Sequence, residues 1–295
     1  MNKVSIWCSA ILCFAFVAPT TASANIIART QISSDFDGRF DQQILTSGTA
    51  QAASFLLFEV PMDVERFEAK GTASASLGTL KGFSLVDNGS PLFVIAQTLS
   101  SFEDVLSIVL RDDSNISLAP GTPGFADIRV AYNWSVLPPS NGGANAFITL
   151  DVPGGRADAS EGPFVTTPLT VSGSTQAIDS VLGEFFTVRV PFASGDDLAI
   201  SLSLITDALT DGPAFARSDA SHSAYWGGIV AVRDSDLNIM PFSVTSASGT
   251  DYRGSFVPGE EVPTVPEPAT LSMLCCGFLF LLNRRVRRGR RLLLS

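Results

Sequence analysis

Apolar and polar residues alternate with a period of two along much of the chain. In residues 66–78 small apolar side chains alternate with polar ones, and residues 125–137 alternate in the same way. Ile200, Leu202 and Leu204 are separated by single serines. Because successive side chains of a β-strand point to opposite faces of the sheet, this pattern predicts strands with one buried face.

Turn-forming residues separate these segments at regular intervals. Gly, Pro, Asn and Asp clusters recur about every 8 to 12 residues, as in Asp87-Asn88-Gly89-Ser90. We expect about ten to thirteen strands and no long helix in the body of the chain. The fold prediction is therefore all-β, a two-sheet β-sandwich or jelly-roll-like domain. Two domains divided near residues 138–143 are the alternative.

Two segments are less regular. Residues 91–110 are apolar and β-branched and predict two strands or one long bent strand, although 102–110 also fit helical spacing. The β surroundings favour strand. Residues 153–168 are small, polar and rich in Gly and Pro, which predicts a mobile loop.

The N-terminus has the layout of a secretory signal peptide. Lys3 precedes an apolar stretch over residues 4–18, and Ala22 and Ala24 form a small-x-small cleavage site. We expect residues 1–24 to be removed, so that the mature chain begins at Asn25. The exported domain would then span residues 25–257.

The C-terminal tail combines three physically different segments after a Pro- and Glu-containing linker at 258–266. The motif Pro266, Glu267 and Pro268 cannot continue a helix. The apolar run 269–282 follows, and as a helix of 14 residues it would reach about 21 Å, short of the ~30 Å hydrocarbon core of a bilayer. Six arginines then form a basic cluster that favours the cytoplasmic side, namely Arg284, Arg285, Arg287, Arg288, Arg290 and Arg291.

This tail, residues 266–291, resembles the PEP-CTERM sorting signal of exported bacterial proteins. The resemblance implies export through the Sec machinery and temporary retention in the inner membrane through the hydrophobic helix. It further implies removal of the tail by an exosortase, and a place at the cell surface or in a biofilm matrix rich in exopolysaccharide. A plain C-terminal transmembrane anchor behind a proline-rich linker is the alternative.

A second resemblance covers residues 221–252. A strand of small polar residues leads through a short acidic turn at 235–238 into a Ser-rich strand that ends in Ser248, Gly249 and Tyr252. This is similar to the last hairpin of cargo domains that precede PEP-CTERM tails. The resemblance also implies an all-β sandwich.

Charge and cysteine content restrict the function. The net charge is −10, and without Lys3, the six tail arginines and Glu267 the exported portion has 12 basic and 28 acidic residues. Nucleic-acid binding requires a basic surface, so we expect no nucleic-acid partner. The four cysteines all lie in the two terminal segments, so thiolate chemistry and disulfides are excluded from the exported domain.

Candidate catalytic groups are few. His222 is the single histidine, and a Ser-His-Asp arrangement would have to use Asp219 or Asp251 without a Gly-x-Ser-x-Gly elbow. Several glutamates are available for a glycosidase pair, but their spacing selects none, namely Glu59, Glu65, Glu68, Glu103, Glu161 and Glu184. We therefore predict that the protein is not an enzyme, with a secreted hydrolase as a minor alternative.

Candidate ligand sites are equally open. Asp234, Asp236 and Asn238 begin like a calcium loop, but Ile239 stands where an EF-hand needs glycine. No cofactor is predicted, with calcium as a weak alternative at this and the other acidic loops, around Asp35, Asp112 and Asp196. A carbohydrate-binding module is the second functional hypothesis, and the aromatic residues that would stack on sugars are Tyr132, Trp134, Tyr225 and Trp226.

Overall fold

The computed structural model describes residues 24–34, 38–45, 49–59, 66–163 and 166–256. The predicted signal peptide lies outside these residues except for Ala24, and the predicted tail lies outside them entirely. Within the described part of the chain there is no helix long and apolar enough to cross a membrane. The strands there are all antiparallel, and they form two eight-stranded sheets consistent with a β-sandwich.

The first sheet has the strand order β11-β10-β9-β14-β6-β1-β2, and β16 pairs with β6 beyond the end of β1. Its strands are β1 (Asn25–Ser34), β2 (Gly38–Leu45), β6 (Phe93–Leu110), β9 (Gly142–Val152), β10 (Gly155–Glu161), β11 (Thr167–Gly173), β14 (Asp197–Asp211) and β16 (Phe242–Ser246).

The second sheet has the order β12-β13-β7-β15-β5-β4-β3, and β8 pairs with β15. Its strands are β3 (Thr49–Glu59), β4 (Arg66–Ser76), β5 (Thr79–Asn88), β7 (Pro123–Tyr132), β8 (Ser135–Leu137), β12 (Gln176–Val181), β13 (Phe185–Ala193) and β15 (Ala214–Asp234). The all-β prediction is therefore confirmed. The region 91–110 contains one long strand, β6, and no helix.

The predicted mobile loop at 153–168 is wrong in its first half. Residues 155–161 form β10, which pairs with β9 on one side and β11 on the other. Ala157 and Ala159 fill the core side of this strand because their methyl groups fit between closely packed neighbours. The tight turn into β10 uses Gly154 at a φ of 73°. Small residues here are core residues of a strand, which polarity alone did not reveal.

The sandwich core consists of two apolar clusters divided by hydroxyl groups. Strands β1, β4, β5, β6, β14 and β15 contribute to both clusters and place small polar residues or glycines between them: Thr30, Gly71, Gly82, Ser84, Thr98, Thr206 and Ser218. The Thr98 and Thr206 hydroxyls lie 2.6 Å apart, and the Ser84 hydroxyl lies 2.9 Å from that of Thr206. Because these groups satisfy one another, the hydroxyl seam can be buried without unpaired donors.

The predicted final hairpin is wrong in its pairing. The turn after Asp234 forms as expected, but β16 does not return along β15; it crosses to the other sheet and pairs with β6. The reason lies in the residues that follow β16. Tyr252 is fully buried beside Phe102 and Trp226, and Ser248 donates to the buried carboxylate of Asp104 on β6. These contacts hold the segment 242–252 against β6 instead of leaving it as an exposed hairpin.

Candidate functional site

An open hollow lies on the outer face of the second sheet. It has a volume of about 450 Å³ and spans strands β3, β4, β5 and β15. Its lining residues are Gln51, Ala52, Thr72, Ala73, Ser74, Lys81, Gly82 and Ser221. Ala52 and Ala73 belong to the core and a Cβ on Gly82 would also face it, so these three residues line the floor with backbone, and the polar side chains and Lys81 surround it.

A bulge in β15 explains why the sheet opens here. Ala220 pairs with Gly82 and Ala224 pairs with Leu80, so Ser221, His222 and Ser223 together face the single residue Lys81. A bulge with extra residues bends its strand and interrupts the ladder of hydrogen bonds. The hydroxyl of Ser100 donates to the Lys81 carbonyl oxygen at 2.5 Å, so the strand opposite the bulge is bonded from inside the sandwich.

The bulge is braced by Asp219. Its carboxylate accepts hydrogen bonds from the Ser221 backbone N–H at 2.9 Å and the Ser221 hydroxyl at 2.5 Å, and also from Arg217. Burial tends to raise the pKa of Asp219, but the hydrogen bonds from Ser221 and Arg217 outweigh it and hold the pKa below its usual value. Asp219 therefore stays ionised and fixes the Ser221 hydroxyl at the rim of the hollow.

The histidine and the two alternative aspartates weighed for a Ser-His-Asp arrangement can be placed only in part. His222 lies in the β15 bulge, and its side chain lies outside the described residues. Asp219 already accepts from Ser221 and Arg217. Asp251 is engaged by Arg253 at 2.6 Å, and that contact holds the pKa of Asp251 below its usual value.

The aromatic residues named as sugar-stacking candidates are mostly internal. Trp226 is fully buried, and its indole N–H donates to the Tyr252 carbonyl at 2.8 Å. Trp134 is 8% exposed, its ring centre lies 4.4 Å from that of Tyr132 in a tilted arrangement, and its indole N–H donates to Glu161 at 2.7 Å. Tyr225 is half-buried. Trp134, Trp226 and Tyr132 therefore all lack the open ring face that stacking on a sugar requires.

The acidic turn weighed as a weak calcium alternative is held by its own hydrogen bonds. The Asp234 carboxylate accepts from the backbone N–H groups of Asp236 and Asn238 at 2.9 Å each, and from the Asn238 side chain at 3.0 Å. The side-chain bond from Asn238 holds the pKa of Asp234 below its usual value. Within the described ranges there is no group of three or more His, Cys, Asp or Glu side chains placed to hold a metal ion.

The other candidate carboxylates are distributed over different partners. Glu103 accepts from Asn25 at 3.2 Å and Glu161 from Trp134. A carboxylate that the sequence did not single out has the strongest cation partners: Asp127 binds Arg189 at 2.7 Å and Arg233 at 2.9 Å. This ion-pair cluster joins strands β7, β13 and β15, and its charges satisfy one another, so it is a structural brace.

The predicted sorting residues lie outside the described structure, with one exception. Pro266, Glu267, Pro268, Ala22 and the six tail arginines belong to that outside part. Ala24 is described and buried, and β1 begins directly after it at Asn25. The expected mature N-terminus thus coincides with the first residue of the first strand.

The chain matches no family model, no curated protein and no solved structure. The hollow was not predicted from the sequence. Its available signals were the run of small polar residues at 221–223 inside a strand, and Gly82 opposite that run.

Proposed function

We propose that the chain is an exported bacterial protein of the cell surface or extracellular matrix, with a structural role and a tail that an exosortase removes. The observation that carries the proposal is the order of segments in the chain. A closed β-sandwich is followed, ten positions after its last described residue Phe256, by Pro266-Glu267-Pro268, an apolar run and an arginine cluster.

The described domain supports this proposal at its C-terminal end. That end is tied into the core, because Tyr252 and Phe256 are buried and the Phe256 N–H donates to the Trp226 carbonyl at 2.9 Å. The packed core of the described domain thus extends to its last described residue, and the proposed sorting motif begins ten positions later.

The proposed route has three stages. The Sec machinery exports the chain and residues 1–24 are removed. The tail then holds the precursor in the inner membrane, and the exosortase releases the domain to an extracellular polysaccharide matrix. A binding role towards that polysaccharide is the second candidate, and the hollow at the β15 bulge favours it over an aromatic platform built on Trp134 or Trp226.

Replacement of Pro266, Glu267 and Pro268 by alanine tests the sorting role. We expect a chain that keeps its tail, residues 25–295, to accumulate in the membrane fraction of its native host, measured by intact mass and terminal sequencing of membrane, surface and medium fractions. A matched control replaces Glu260, Glu261 and Pro263 in the linker and should mature normally. Normal maturation of the first variant would refute the role of the motif, and a wild-type chain that keeps residues 271–295 would show a plain anchor.

A further inference from the structure

Lys81 lies at the hollow beside the β15 bulge. Among the basic side chains that the structure describes, it is the one that the fold leaves without a partner. Lys81 is exposed, and no hydrogen bond, ion pair or ring contact to its ammonium group is found in the described structure. The other described basic residues near it are engaged: Arg217 pairs with Asp219, and Lys70 lies 5.8 Å from the centre of the Phe83 ring.

Free positive charge is unusual in this protein. The chain has a net charge of −10, and Lys70 and Lys81 are the only two lysines after Lys3. Ion pairs bind most of the described arginines, as for Arg156 with Asp158 and Arg253 with Asp251. An unpaired lysine at the edge of a hollow is therefore a specific feature of this surface.

Carboxylates on the same face do not neutralise Lys81. Asp219 is the nearest along β15 and is already bonded to Arg217 and Ser221. Asp87 lies six positions along β5 from Lys81, and Glu68 lies opposite Asp87 in the register of β4 and β5. At about 3.3 Å per residue this is roughly 20 Å, well beyond the ~8 Å screening length at physiological salt.

The rest of the lining has the chemistry of a sugar site. Thr72, Ser74 and Ser221 present hydroxyl groups and Gln51 an amide, which together can donate to and accept from the hydroxyls of a ligand. The strand register places Gln51 opposite Ser74, and Ser74 opposite Lys81, so these three residues form one row across the sheet. A ligand in this row would meet neutral polar groups at one end and a cation at the other.

We infer that the hollow binds a carboxylate-bearing sugar unit of an acidic polysaccharide. Lys81 binds the carboxylate, and Gln51, Ser74 and Ser221 hydrogen-bond the hydroxyl groups. The inference rests on the proposed function, because that function brings the domain into contact with an extracellular polysaccharide. It adds the chemical class of the polysaccharide and the residues that recognise it.

Titration calorimetry with the full chain in detergent tests the inference, with oligogalacturonate as the acidic probe and dextran oligomers as the neutral probe. We expect wild type to bind oligogalacturonate and not dextran. Lys81→Gln should weaken binding at least about tenfold, which corresponds to about 1.4 kcal/mol. Lys81→Arg should keep the affinity within about threefold.

Lys70→Gln is the matched control, because it removes the other exported lysine from the same face without touching the hollow. Its affinity should stay within about threefold of wild type. The inference is overturned if wild type does not bind oligogalacturonate, if dextran binds as well, or if Lys81→Gln and Lys70→Gln weaken binding equally. Tail processing is measured separately in the host, so failure of the sorting proposal leaves this binding result standing, and the reverse also holds.

Discussion

Two of the register shifts in strand β15 use the same device with opposite results. At the first, residues 221–223 bulge away from Lys81 of β5 and leave an open hollow. At the second, Trp226 pairs with Val130 and Ile229 with Ile128, so Gly227 and Gly228 together face the single residue Arg129 of β7. The second irregularity has no hollow because the chain returns to cover it.

The cover consists of the last described residues. The backbone N–H of Ile229 donates to the Tyr252 carbonyl at 3.3 Å, and the Phe256 ring packs where a side chain on Gly78 would clash at 2.6 Å. Gly228 has a φ of 98°, and a Cβ there would lie 3.0 Å from the Arg253 carbonyl oxygen. Glycine is required at this site because both the backbone angle and the close approach exclude a side chain.

The covered bulge at Gly227 and Gly228 is a structural irregularity, whereas the uncovered bulge at residues 221–223 is a candidate site. The filled bulge has glycines, aromatic neighbours and backbone hydrogen bonds, so residues there should control stability. The open bulge has small polar residues, a free lysine and water access, so residues there should control binding. Substitutions at the two places should therefore have different readouts.

The largest effect is expected at the filled bulge. Trp226→Ala removes a fully buried ring that lies 5.2 Å from the Tyr252 ring, and it deletes the hydrogen bond to the Tyr252 carbonyl. We expect the free energy of unfolding to fall by about 3 to 5 kcal/mol, measured by urea denaturation. Phe215→Ala on the same strand is the control: its ring is 40% exposed, and its loss should cost less than about 1 kcal/mol. Similar losses in both variants would contradict the assignment of Trp226 to a stability-determining cluster.

A smaller effect is expected from the backbone of the same bulge. Gly228→Ala should destabilise the fold by about 2 to 3 kcal/mol, since it combines an unfavourable φ with contact to the Arg253 carbonyl. Gly212 has a similar φ of 93°, and a methyl group on it would meet no atom within 4 Å, so Gly212→Ala should cost only about 1 kcal/mol. Because the two glycines have similar φ angles, the difference in urea midpoint between the two variants measures the contribution of the close contact with the chain at Arg253. Equal midpoints would mean that residues 252–256 do not pack closely against this bulge.

The alternation of apolar and polar residues was sufficient to predict the fold class and most strands. It worked for β14, where Ile200, Leu202 and Leu204 are buried in the core and the alternating serines Ser201 and Ser203 occupy the opposite face of the sheet. It failed for β10, because Ala157 and Ala159 are too small to mark a buried face in a Gly-rich segment. Small residues have weak patterns although they pack as tightly as large ones.

Long-range pairing explains the other failures. The crossing of β16 to β6 depends on Asp104 accepting from Ser248, two residues 144 positions apart, which no local pattern contains. The hollow depends on a register shift between β15 and β5, which also appears only when the two strands are paired. Sequence reasoning named His222 and Asp219 for their chemistry, and the structure adds that Asp219 braces the bulge.

The smallest effect is expected at that brace of the open bulge. Asp219→Asn keeps the shape of the side chain but weakens its hydrogen bonds from Ser221 and Arg217, so we expect a loss of about 1 to 2 kcal/mol at pH 7 in urea denaturation. Because the pKa of Asp219 is lower in the folded protein than in the unfolded chain, its stabilising contribution is present above the unfolded value near 3.8 and is lost as the pH falls through the folded value. The gap between wild type and variant should therefore narrow as the pH falls from the unfolded value through the lower folded value.

Asp251→Asn is the matched control for this pH dependence. Asp251 also pairs with an arginine two residues away and also has a lowered pKa, but its side chain is 57% exposed. An exposed pair of this kind contributes little, so the control should lose less than about 0.5 kcal/mol at pH 7. A gap for Asp219→Asn that is no larger than that of the control, or that does not narrow in acid, would mean that the open bulge keeps its form without the carboxylate. The Ser221 hydroxyl would then be free to turn away from the hollow, and Lys81, Gln51, Thr72 and Ser74 would remain as the other polar groups of its lining.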